Sequence, residues 1–569
     1  MEKNWRIRKQ GDPDVIEKLS EVLGVNKVLA NLLAQRNIST YDQAKSFFRP
    51  ELDQLHDPFL MKDMDKAIHR INLALSNNEK ILVYGDYDVD GTTSVALVYS
   101  FFRKYSPNLA YYIPNRYHEG YGISIKGIDF AFENGFTLII ALDCGIKAVD
   151  KVEYANSFNI DFIICDHHYP GDTIPDASAV LDPKRHDCNY PFKELSGCGV
   201  GYKLLQGFSI QNQIPLTELE VHLDLVAVSI ASDIVPINGE NRILSYFGLK
   251  KLSESPCNGL KSIIKIAGIE NKEITIDDIV FKIGPRINAA GRIESGDKAV
   301  ALLIAEDELL AQSMGDRINE FNNTRKSIDI TITQEALSFI ANDPVKDNCY
   351  STVLFNPTWH KGVIGIVASR LIESYYRPTV ILTESNGMAT GSARSVDGFD
   401  LYQAIDECSD LLENFGGHMF AAGITLKPEN VPAFKERFEQ VVSKYIKEDQ
   451  LVPSIEIDAQ IELSDIDTKF YRILKQFQPF GPGNMSPVFL TKNVSDNGCG
   501  RLVGNSGDHL KLELIQEKEP FRIFPAIGFQ LSQHFAYIKK GNPFDVCFSI
   551  EENEFRGNTT LQIRIRDIK

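Results

Sequence analysis

The feature that most limits the fold is a series of short apolar segments, several of which end in an acidic residue. Between residues 78 and 182 these segments are "KILVYGDYD", "LAYYIP", "FTLIIALD", "IDFIICD" and "ASAVLD". Stretches of helical length, such as "TTSVALVYSFFRKY" and "KAVDKVEYANSF", lie between several of them. Strands that alternate with helices in this way predict βαβ units and a mainly parallel sheet.

The chain is also too long for a single hydrophobic core. Its 569 residues, 43% of them hydrophobic and 24% charged, are typical of a globular protein with several domains. Residues 1–50 carry apolar residues at helical spacing and predict a helical lead-in. The alternating strands and helices described above predict a first α/β domain over residues 51–295.

The rest of the chain predicts a long helix and two further domains. Residues 296–345 have the composition of one long connecting helix. A second α/β domain is expected over residues 346–450, with strands such as "STVLF" and the glycine-rich runs "TGSARS" and "GGHMFAAG". Residues 451–569 alternate apolar and polar residues, as in "HLKLELIQ", which predicts a small antiparallel β domain, by preference a barrel.

Cysteine content and charge exclude some classes of protein. The nine cysteines include no C-x-x-C pair, so a structural zinc site is not expected. Dispersed cysteines without an apolar signal segment indicate free thiols in a reducing cytoplasm, and no apolar run is long enough to span a bilayer. The net charge of −17 does not exclude a nucleic-acid partner, because a basic groove can coexist with an acidic exterior.

Three aspartates alternate in "YGDYDVDG", directly after the first strand: Asp86, Asp88 and Asp90. Carboxylates this close repel one another, and a divalent cation relieves that repulsion. The same residues also suit a simpler role, in which they cap the following helix through its dipole. An EF-hand loop fits poorly, because the glutamate expected at its twelfth position is absent.

The other strand ends favour a metal site. Asp143 follows "LIIAL", the triplet Asp166, His167 and His168 follows "FIIC", and Asp233 ends a helical segment. The carboxyl ends of parallel strands meet at one edge of a sheet, so we expect these side chains to lie together. Carboxylate and imidazole ligands without thiolate suit Mn²⁺ or Mg²⁺, with Zn²⁺ or Fe²⁺ as alternatives. The set exceeds what one ion needs, which predicts a two-metal site of the kind that activates water for phosphoryl transfer.

The motifs resemble a known family. In order, "GDYDVDG", "ALDCG", "DHH" and "SDIVP" resemble the DHH phosphoesterase superfamily. Within it, the segments "PNRYHEGYG", "GCGVGYKL", "GPRINAAGRI", "WHKGVIGIVASRL", "GSARSVDGFDL", "GGHMFAAG" and "PFGPGN" resemble the RecJ family of 5′→3′ exonucleases specific for single-stranded DNA. The resemblance, over residues 50–569, implies a DHH-type domain with a mainly parallel sheet. It also implies a DHHA1 (DHH-associated) α/β domain joined to the first by the long helix, and a C-terminal OB-like barrel that binds single strands.

The resemblance assigns the metal ligands to two groups that share Asp143. The first group is Asp90, Asp143, His167 and Asp233. The second group is Asp88 and Asp143, with Asp86 near them. One departure is visible: many members of the superfamily have a histidine four residues before the second acid of the first motif, where this chain has Tyr84.

The resemblance also implies the reaction. Two Mn²⁺ or Mg²⁺ ions would support phosphodiester hydrolysis that releases 5′ mononucleotides. His168 would lie by the scissile phosphate, as a donor to its oxygen or to the leaving group. Asp166 would orient the two histidines from behind.

The resemblance places further residues along the path of the DNA. An enzyme that starts at a 5′ end needs an anion pocket, and the planar guanidinium group binds phosphate oxygens in pairs. The candidates are Arg116, Arg286, Asn288, Arg292, Ser392, Arg394 and His418. Arg286 and Arg292 would alternatively form ion pairs on a helix surface, and the glycines beside His418 would serve packing alone.

The implied partner is single-stranded DNA, together with a single-strand-binding protein and a RecQ-type helicase. A cytoplasmic monomer that acts in DNA recombination and repair is the expectation. Two alternatives remain open: a DHH/DHHA1 phosphodiesterase for oligoribonucleotides or cyclic dinucleotides, and a non-enzymatic scaffold. The C-terminal β domain argues against the first, because a dinucleotide needs no long track. The retained aspartates and histidines argue against the second.

Overall fold

The structure, a computed structural model, describes residues 2–343, 348–518, 521–555 and 558–569. The chain divides into two compact units, which are described separately. One unit is Glu51–Leu451, and the other combines Met1–Pro50 with Val452–Lys569. The boundary predicted between the connecting helix and the second α/β domain, at residues 345 and 346, lies outside the described residues.

The strands are short, as the lengths of the apolar segments predict. In chain order they are β1 (Asn4–Ile7), β2 (Ile81–Gly85), β3 (Leu109–Tyr112), β4 (Leu138–Leu142), β5 (Asp161–Cys165), β6 (Ala179–Leu181), β7 (Thr352–Phe355), β8 (Thr379–Ser385), β9 (Met388–Arg394), β10 (Asn414–His418), β11 (Ala421–Leu426), β12 (Ser454–Ile457), β13 (Ala459–Gln460), β14 (Phe489–Asp496), β15 (Arg501–Val503), β16 (His509–Ile515), β17 (Phe524–Gly528), β18 (Phe544–Phe555) and β19 (Asn558–Ile568).

The helices range from single turns to one of 34 residues. In chain order they are α1 (Pro13–Leu23), α2 (Lys27–Ala34), α3 (Tyr41–Phe48), α4 (Met64–Ser76), α5 (Val89–Phe102), α6 (Ile125–Glu133), α7 (Val149–Asn156), α8 (Gly197–Gln211), α9 (Thr217–Glu220), α10 (Leu223–Ser232), α11 (Gly239–Glu254), α12 (Asn258–Ile266), α13 (Ile276–Asp278), α14 (Gly284–Ile293), α15 (Asp297–Leu303), α16 (Glu308–Ala341), α17 (Ile364–Ser374), α18 (Leu401–Asp406), α19 (Val431–Tyr445), α20 (Thr468–Lys475) and α21 (Phe535–Ile538). Within the described ranges, none of these helices has the length and apolar character needed to cross a membrane.

The first sheet of the larger unit is parallel throughout, in the order β3-β2-β4-β5-β6. Every residue of β2 and β4 is buried, because helices cover both faces of the sheet. Ile81 and Val83 pack into one core, whereas Leu82 and Tyr84 pack into another. Because alternate residues of a strand enter different cores, the strands have continuous apolar sequences. The predicted mainly parallel sheet is confirmed.

The second sheet of this unit has the order β10-β11-β9-β8-β7. Only β7 and β8 are parallel, and the remaining pairs are antiparallel. The stacked rings of Phe434 and Phe438, on α19, belong to the core beneath it. Strand β9 ends at Arg394 and β10 ends at His418, so two predicted DNA contacts lie on neighbouring parts of one sheet.

The segment between the two sheets differs from the prediction in one respect. The sequence predicts one helix over 296–345, whereas the structure has two, α15 and α16. The break occurs because Asp307 starts a new helix: its Oδ1 accepts a hydrogen bond of 2.7 Å from the backbone N–H of Leu310. This is an N-cap, whose signal is present in the sequence "AEDELL".

The smaller unit is built on a barrel. Strands β14, β18, β19, β17 and β16 are successive neighbours, and pairing of β14 with β16 closes the ring. This confirms the predicted OB-like barrel. Residues 1–50 share its core, because Leu29 and Leu33 of α2 belong to the same apolar cluster as Phe489 and Phe548 of the barrel. Strand β1 also pairs with β12 in parallel.

Candidate metal centre and nucleic-acid interface

The carboxyl edge of the parallel sheet brings the predicted acidic residues together. Strand β2 has β3 on one side and β4 on the other, so the chain changes direction across the sheet between these strands. Ligands of open α/β sheets bind at such a switch point. Asp86 follows β2, Asp143 follows β4, and Asp166 follows β5.

His167 lies at the centre of this cluster. Its Nε2 atom is 3.2 Å from Asp143 Oδ1, 3.6 Å from Asp233 Oδ2 and 3.8 Å from Asp90 Oδ2. Within the described residues, neither ring nitrogen of His167 has a hydrogen-bond partner, although both are buried. A buried nitrogen without a partner is costly unless it binds another group, and a divalent cation among these carboxylates would supply one.

Asp90 is held rigidly by the start of another helix. Its carboxylate accepts hydrogen bonds from the backbone N–H groups of Gly197 (2.7 Å) and Cys198 (2.8 Å), at the N-terminus of α8, and from Ser229 Oγ (2.7 Å). Position 197 must be a glycine for steric reasons, because a Cβ there would lie 2.6 Å from the Asp143 Cβ. These positioning residues are absent from the sequence predictions, although the quoted motif "GCGVGYKL" contains Gly197 and Cys198.

Asp86 and Asp88 form the other side of the cluster. Asp86 Oδ1 accepts a 3.2 Å hydrogen bond from Gly122 N, whereas the buried Oδ2 has no partner in the described part of the chain. Asp88 Oδ1 accepts one of 3.0 Å from Gly91 N and caps α5. The capping role and the metal-binding role are therefore compatible, since one Asp88 oxygen serves the helix.

The electrostatics of the cluster favour a cation. Burial raises the pKa of Asp143 well above its usual value, and the charges of Asp90, Asp88, Asp233 and Asp86 raise it further. The pKa of Asp233 is also raised well above normal, first by burial and then by Asp90 and Asp88. Ligand atoms of Asp90, His167 and Asp233 all lie within 4.8 Å of one another, and so do those of Asp143, His167 and His168. The donor set therefore fits hard divalent cations.

Asp166 forms hydrogen bonds with both histidines. Its Oδ1 lies 2.7 Å from His168 Nδ1 and accepts the backbone N–H of His167, while Oδ2 accepts that of Ile146 at 2.9 Å. Burial lowers the pKa of His168, but the hydrogen bond to Asp166 and the nearby carboxylates outweigh it and raise the value to about 9. The other ring nitrogen, Nε2, is 3.1 Å from the Tyr121 hydroxyl. His168 is thus oriented and kept protonated by its neighbours.

A second cluster consists of arginines from three distant segments. Arg116 follows β3, Arg292 is in the last turn of α14, and Arg394 ends β9. Burial lowers the pKa of Arg292 to about 9, with further lowering by Arg116, Arg325 and Arg394. Burial and the charge of Arg116 lower the pKa of Arg394. Guanidinium groups that disfavour one another's charge in this way form a site for an anion.

Each of these arginines is held by a specific contact. Arg292 Nη1 donates to the Gly362 carbonyl at 2.7 Å, and Arg394 Nη1 donates to Ser392 Oγ at 2.8 Å. The Arg116 guanidinium lies over the Tyr87 ring, 4.8 Å from its centroid. Gly365, in the first turn of α17, approaches Arg394 and Ser392 so closely that a Cβ there would lie 2.8 Å from Arg394 Nη2. We call Arg116, Arg292, Ser392 and Arg394 the arginine pocket.

The arginine pocket adjoins the metal cluster. The charge of Arg116 lowers the pKa of both Asp86 and Asp88, although burial and neighbouring carboxylates prevail and leave those values raised. His360 and Lys361 lie near Arg116. Burial lowers the pKa of each, and the charge of Arg116 lowers it further. The sequence predictions omit these two residues, although the quoted motif "WHKGVIG" contains them.

The remaining predicted DNA contacts lie around the pocket rather than in it. Arg286 donates from Nε to Asn319 Oδ1 at 3.1 Å and from Nη1 to the Lys282 carbonyl at 2.6 Å, so it contacts α16. Asn288 is partly buried, one turn before Arg292 on α14. His418 is exposed at the end of β10, and burial followed by the charge of Arg394 lowers its pKa.

Comparison with known proteins agrees with these observations. The model of the DHH family, N-terminal domain, matches residues 80–230, that of the DHHA1 domain matches 347–444, and that of the RecJ OB domain matches 457–567. The single-stranded-DNA-specific exonuclease RecJ of Bacillus subtilis is 35% identical over 565 residues, which are 99% of this chain and 70% of the relative. RecJ of Escherichia coli is 31% identical over 89% of this chain and 90% of its own length.

The chain belongs to the RecJ family. The crystal structure of RecJ from Thermus thermophilus in complex with Mn²⁺ superposes with a TM-score of 0.84 and 25% identity, over 100% of this chain and 79% of that one. A crystal structure of exonuclease RecJ bound to manganese is 30% identical, with a TM-score of 0.60, over 70% of this chain and 97% of that one. The family and the fold class predicted from the motifs are confirmed, and the roles of individual residues stay predictions.

Proposed function

We propose that this RecJ-family chain is a metal-dependent exodeoxyribonuclease that degrades single-stranded DNA from its 5′ end and releases 5′ mononucleotides. The observation that carries the proposal is that Arg116 of the arginine pocket lies over the ring of Tyr87, between Asp86 and Asp88 of the metal cluster, within one unit. The pocket suits a terminal phosphate, and the cluster suits the phosphodiester one nucleotide further along the strand. The names of the relatives support the same substrate.

The metal cluster would hold two divalent cations, Mn²⁺ by preference or Mg²⁺, as the manganese-bound structures of relatives support. When bound, such cations lower the pKa of a water molecule and neutralise the charge of the phosphate. The ligands would be Asp90, Asp143, His167 and Asp233 for one ion, and Asp88 and Asp143, with Asp86, for the other. The hydrogen bonds that Asp90 receives from α8 fix one wall of the site before substrate arrives.

His168 and Asp166 supply the protein's own contribution to bond cleavage. Water adds to phosphorus, and the bond from phosphorus to the 3′ oxygen of the terminal nucleotide breaks. Protonated His168 donates from Nε2 to a phosphate oxygen or to the departing 3′ oxygen, while Asp166 holds Nδ1. The shortened strand keeps a 5′ phosphate, which fits the arginine pocket again and permits the next cycle.

Comparison does not favour the small-substrate phosphodiesterase as an alternative, since the matched relatives over most of the chain are named as DNA exonucleases. We further propose that the protein acts as a cytoplasmic monomer in recombination and repair, with a single-strand-binding protein and a RecQ-type helicase. The nine free thiols support a reducing compartment.

The test uses purified protein, Mn²⁺ and three 3′-labelled substrates: a 5′-phosphorylated single strand, the same strand as a blunt duplex, and a dinucleotide. We expect progressive shortening of the single strand while the duplex stays intact. Cleavage of the dinucleotide alone would contradict the proposal and indicate a small-substrate phosphodiesterase.

A further inference from the structure

On the side of the metal cluster formed by His167 and Asp233, three residues have no assigned role. Tyr169 directly follows the two histidines and is 71% exposed. Lys184 follows β6, and its Nζ lies 5.0 Å from the centroid of the Tyr169 ring. His167, two residues before Tyr169, has its Nε2 atom 3.6 Å from Oδ2 of Asp233, the residue before Ile234.

Ile234 is the third residue, and its conformation is unusual. It directly follows Asp233 and has a φ of +61°, a left-handed conformation that β-branched residues rarely adopt. Ile234 is nevertheless 63% exposed, so no core packing of the described structure accounts for an isoleucine at this position. Disfavoured backbone conformations that persist beside an active site indicate a functional constraint.

Lys184 is placed for a ligand rather than for a strong ion pair. Its side chain is only 12% exposed, and its backbone N–H donates to Asp182 Oδ1 at 2.7 Å. The Nζ atom is 3.6 Å from Glu194 Oε2, which is beyond hydrogen-bonding distance. The ammonium group therefore keeps donors for a phosphate, next to an exposed aromatic ring and an exposed aliphatic side chain. We call Tyr169, Lys184 and Ile234 the exit platform.

We propose that the strand on the 3′ side of the cleaved bond leaves the metal cluster over the exit platform, with Lys184 bound to the next phosphate and Tyr169 and Ile234 in contact with the bases. This inference rests on the proposed function and extends it. Arg116 of the arginine pocket lies over the ring of Tyr87, between Asp86 and Asp88, whereas Tyr169 and Ile234 directly follow His168 and Asp233, so the pocket and the platform flank different residues of the cluster. Exposed rings stack on bases without sequence preference.

Substrate length separates the platform from the pocket. A 5′-phosphorylated dinucleotide has a terminal phosphate and a scissile phosphate but no third one, whereas a trinucleotide has the phosphate assigned to Lys184. We expect wild-type kcat/KM to rise about tenfold from dinucleotide to trinucleotide, as one charged hydrogen bond allows. We expect Lys184→Gln to abolish this rise by raising KM on the trinucleotide and on a 12-nucleotide strand, with less than about a threefold loss on the dinucleotide.

Ile234→Gly gives a second, independent readout. Glycine favours the left-handed conformation, so the melting temperature should stay the same or rise, while kcat/KM on the 12-nucleotide strand falls. Lys147→Gln, an exposed lysine outside the platform, is the matched control and should match wild type.

Three outcomes would overturn the inference. The first is equal loss for Lys184→Gln on the dinucleotide and the long strand, and the second is no loss on either substrate. The third is a lower melting temperature for Ile234→Gly with unchanged cleavage. Wild-type protein that cleaves none of the substrates would overturn the proposed function as well, so the two failures are distinguishable.

Discussion

The metal cluster and the arginine pocket are adjacent but are built in opposite ways. The cluster collects acidic residues, of which Asp86, Asp143 and Asp166 each follow a strand of one parallel sheet. The pocket collects Arg116, Arg292 and Arg394 from a loop, a helix and a strand of a different sheet. Burial and like charges raise the pKa of Asp143 and lower that of Arg292, so each cluster favours a ligand of opposite charge. Under the proposed function, one domain would therefore hold the metal ions, whereas two domains would bind the 5′ end.

The largest expected effect tests the metal cluster. Asp143→Asn should lower kcat on a 5′-phosphorylated strand by at least about 10³-fold, which corresponds to about 4 kcal/mol of activation free energy. Asp143 is the shared ligand and lies 3.2 Å from His167, so both ions would lose a bond. Steady-state kinetics in Mn²⁺, with Mn²⁺ binding followed by calorimetry, would measure the loss.

Metal-free protein provides the internal check on that variant. Without cations, Asp143→Asn should raise the melting temperature by roughly 2 °C or more, because it removes one of several mutually repelling buried carboxylates. Asp150→Asn, at an exposed carboxylate paired with Lys151, is the control and should change neither quantity. An Asp143→Asn protein with full activity would refute the mechanism.

The two clusters also differ in how far the sequence predicts them. Asp86, Asp143 and Asp166 directly follow apolar runs, and parallel strands must bring such positions to one edge. No comparable rule predicts the pocket, since its residues are far apart in the sequence, come from two domains and are related only by the family resemblance. Gly197 shows the same limit: its lack of a side chain is explained only by Asp143, which contacts it across the fold. Local patterns likewise could not predict that residues 1–50 share a core with the barrel, because β1 and β12 come from opposite parts of the chain.

The second prediction tests the pocket. Arg394→Gln should lower kcat/KM on a 5′-phosphorylated strand by about 10- to 100-fold, the range for loss of a charged hydrogen bond. On the same strand with a 5′ hydroxyl, the loss should be less than about threefold, because the partner of the guanidinium is missing already. Arg437→Gln, at an exposed pair with Asp410 in the same domain, is the control. Equal losses on both ends would show that Arg394 does not bind the terminal phosphate.

The third prediction concerns Asp166, which contacts the histidines rather than the substrate. Asp166→Asn should lower kcat by about 10- to 100-fold with little change in KM, as loss of a group that orients a catalytic histidine does. The hydrogen bond to Asp166 helps to raise the pKa of His168 to about 9. Without the carboxylate, the pKa falls, so the decline of kcat at alkaline pH should begin at lower pH.

A double variant checks this assignment. If Asp166 acts through His168, Asp166→Asn combined with His168→Gln should be no slower than His168→Gln alone. Additive losses, or an unchanged pH profile, would instead place Asp166 among the groups that maintain the fold.

The smallest effect distinguishes the clusters by their response to salt. Each phosphate contact on a single strand contributes about 0.7 to the slope of log affinity against log salt concentration. On the phosphorylated strand, Arg394→Gln should therefore reduce the slope of log kcat/KM against log KCl by about 0.7. Asp166→Asn should leave this slope unchanged, although the two variants lose activity to a similar extent. A salt slope that changes with Asp166→Asn, or fails to change with Arg394→Gln, would mean that the two clusters do not divide binding and cleavage between them.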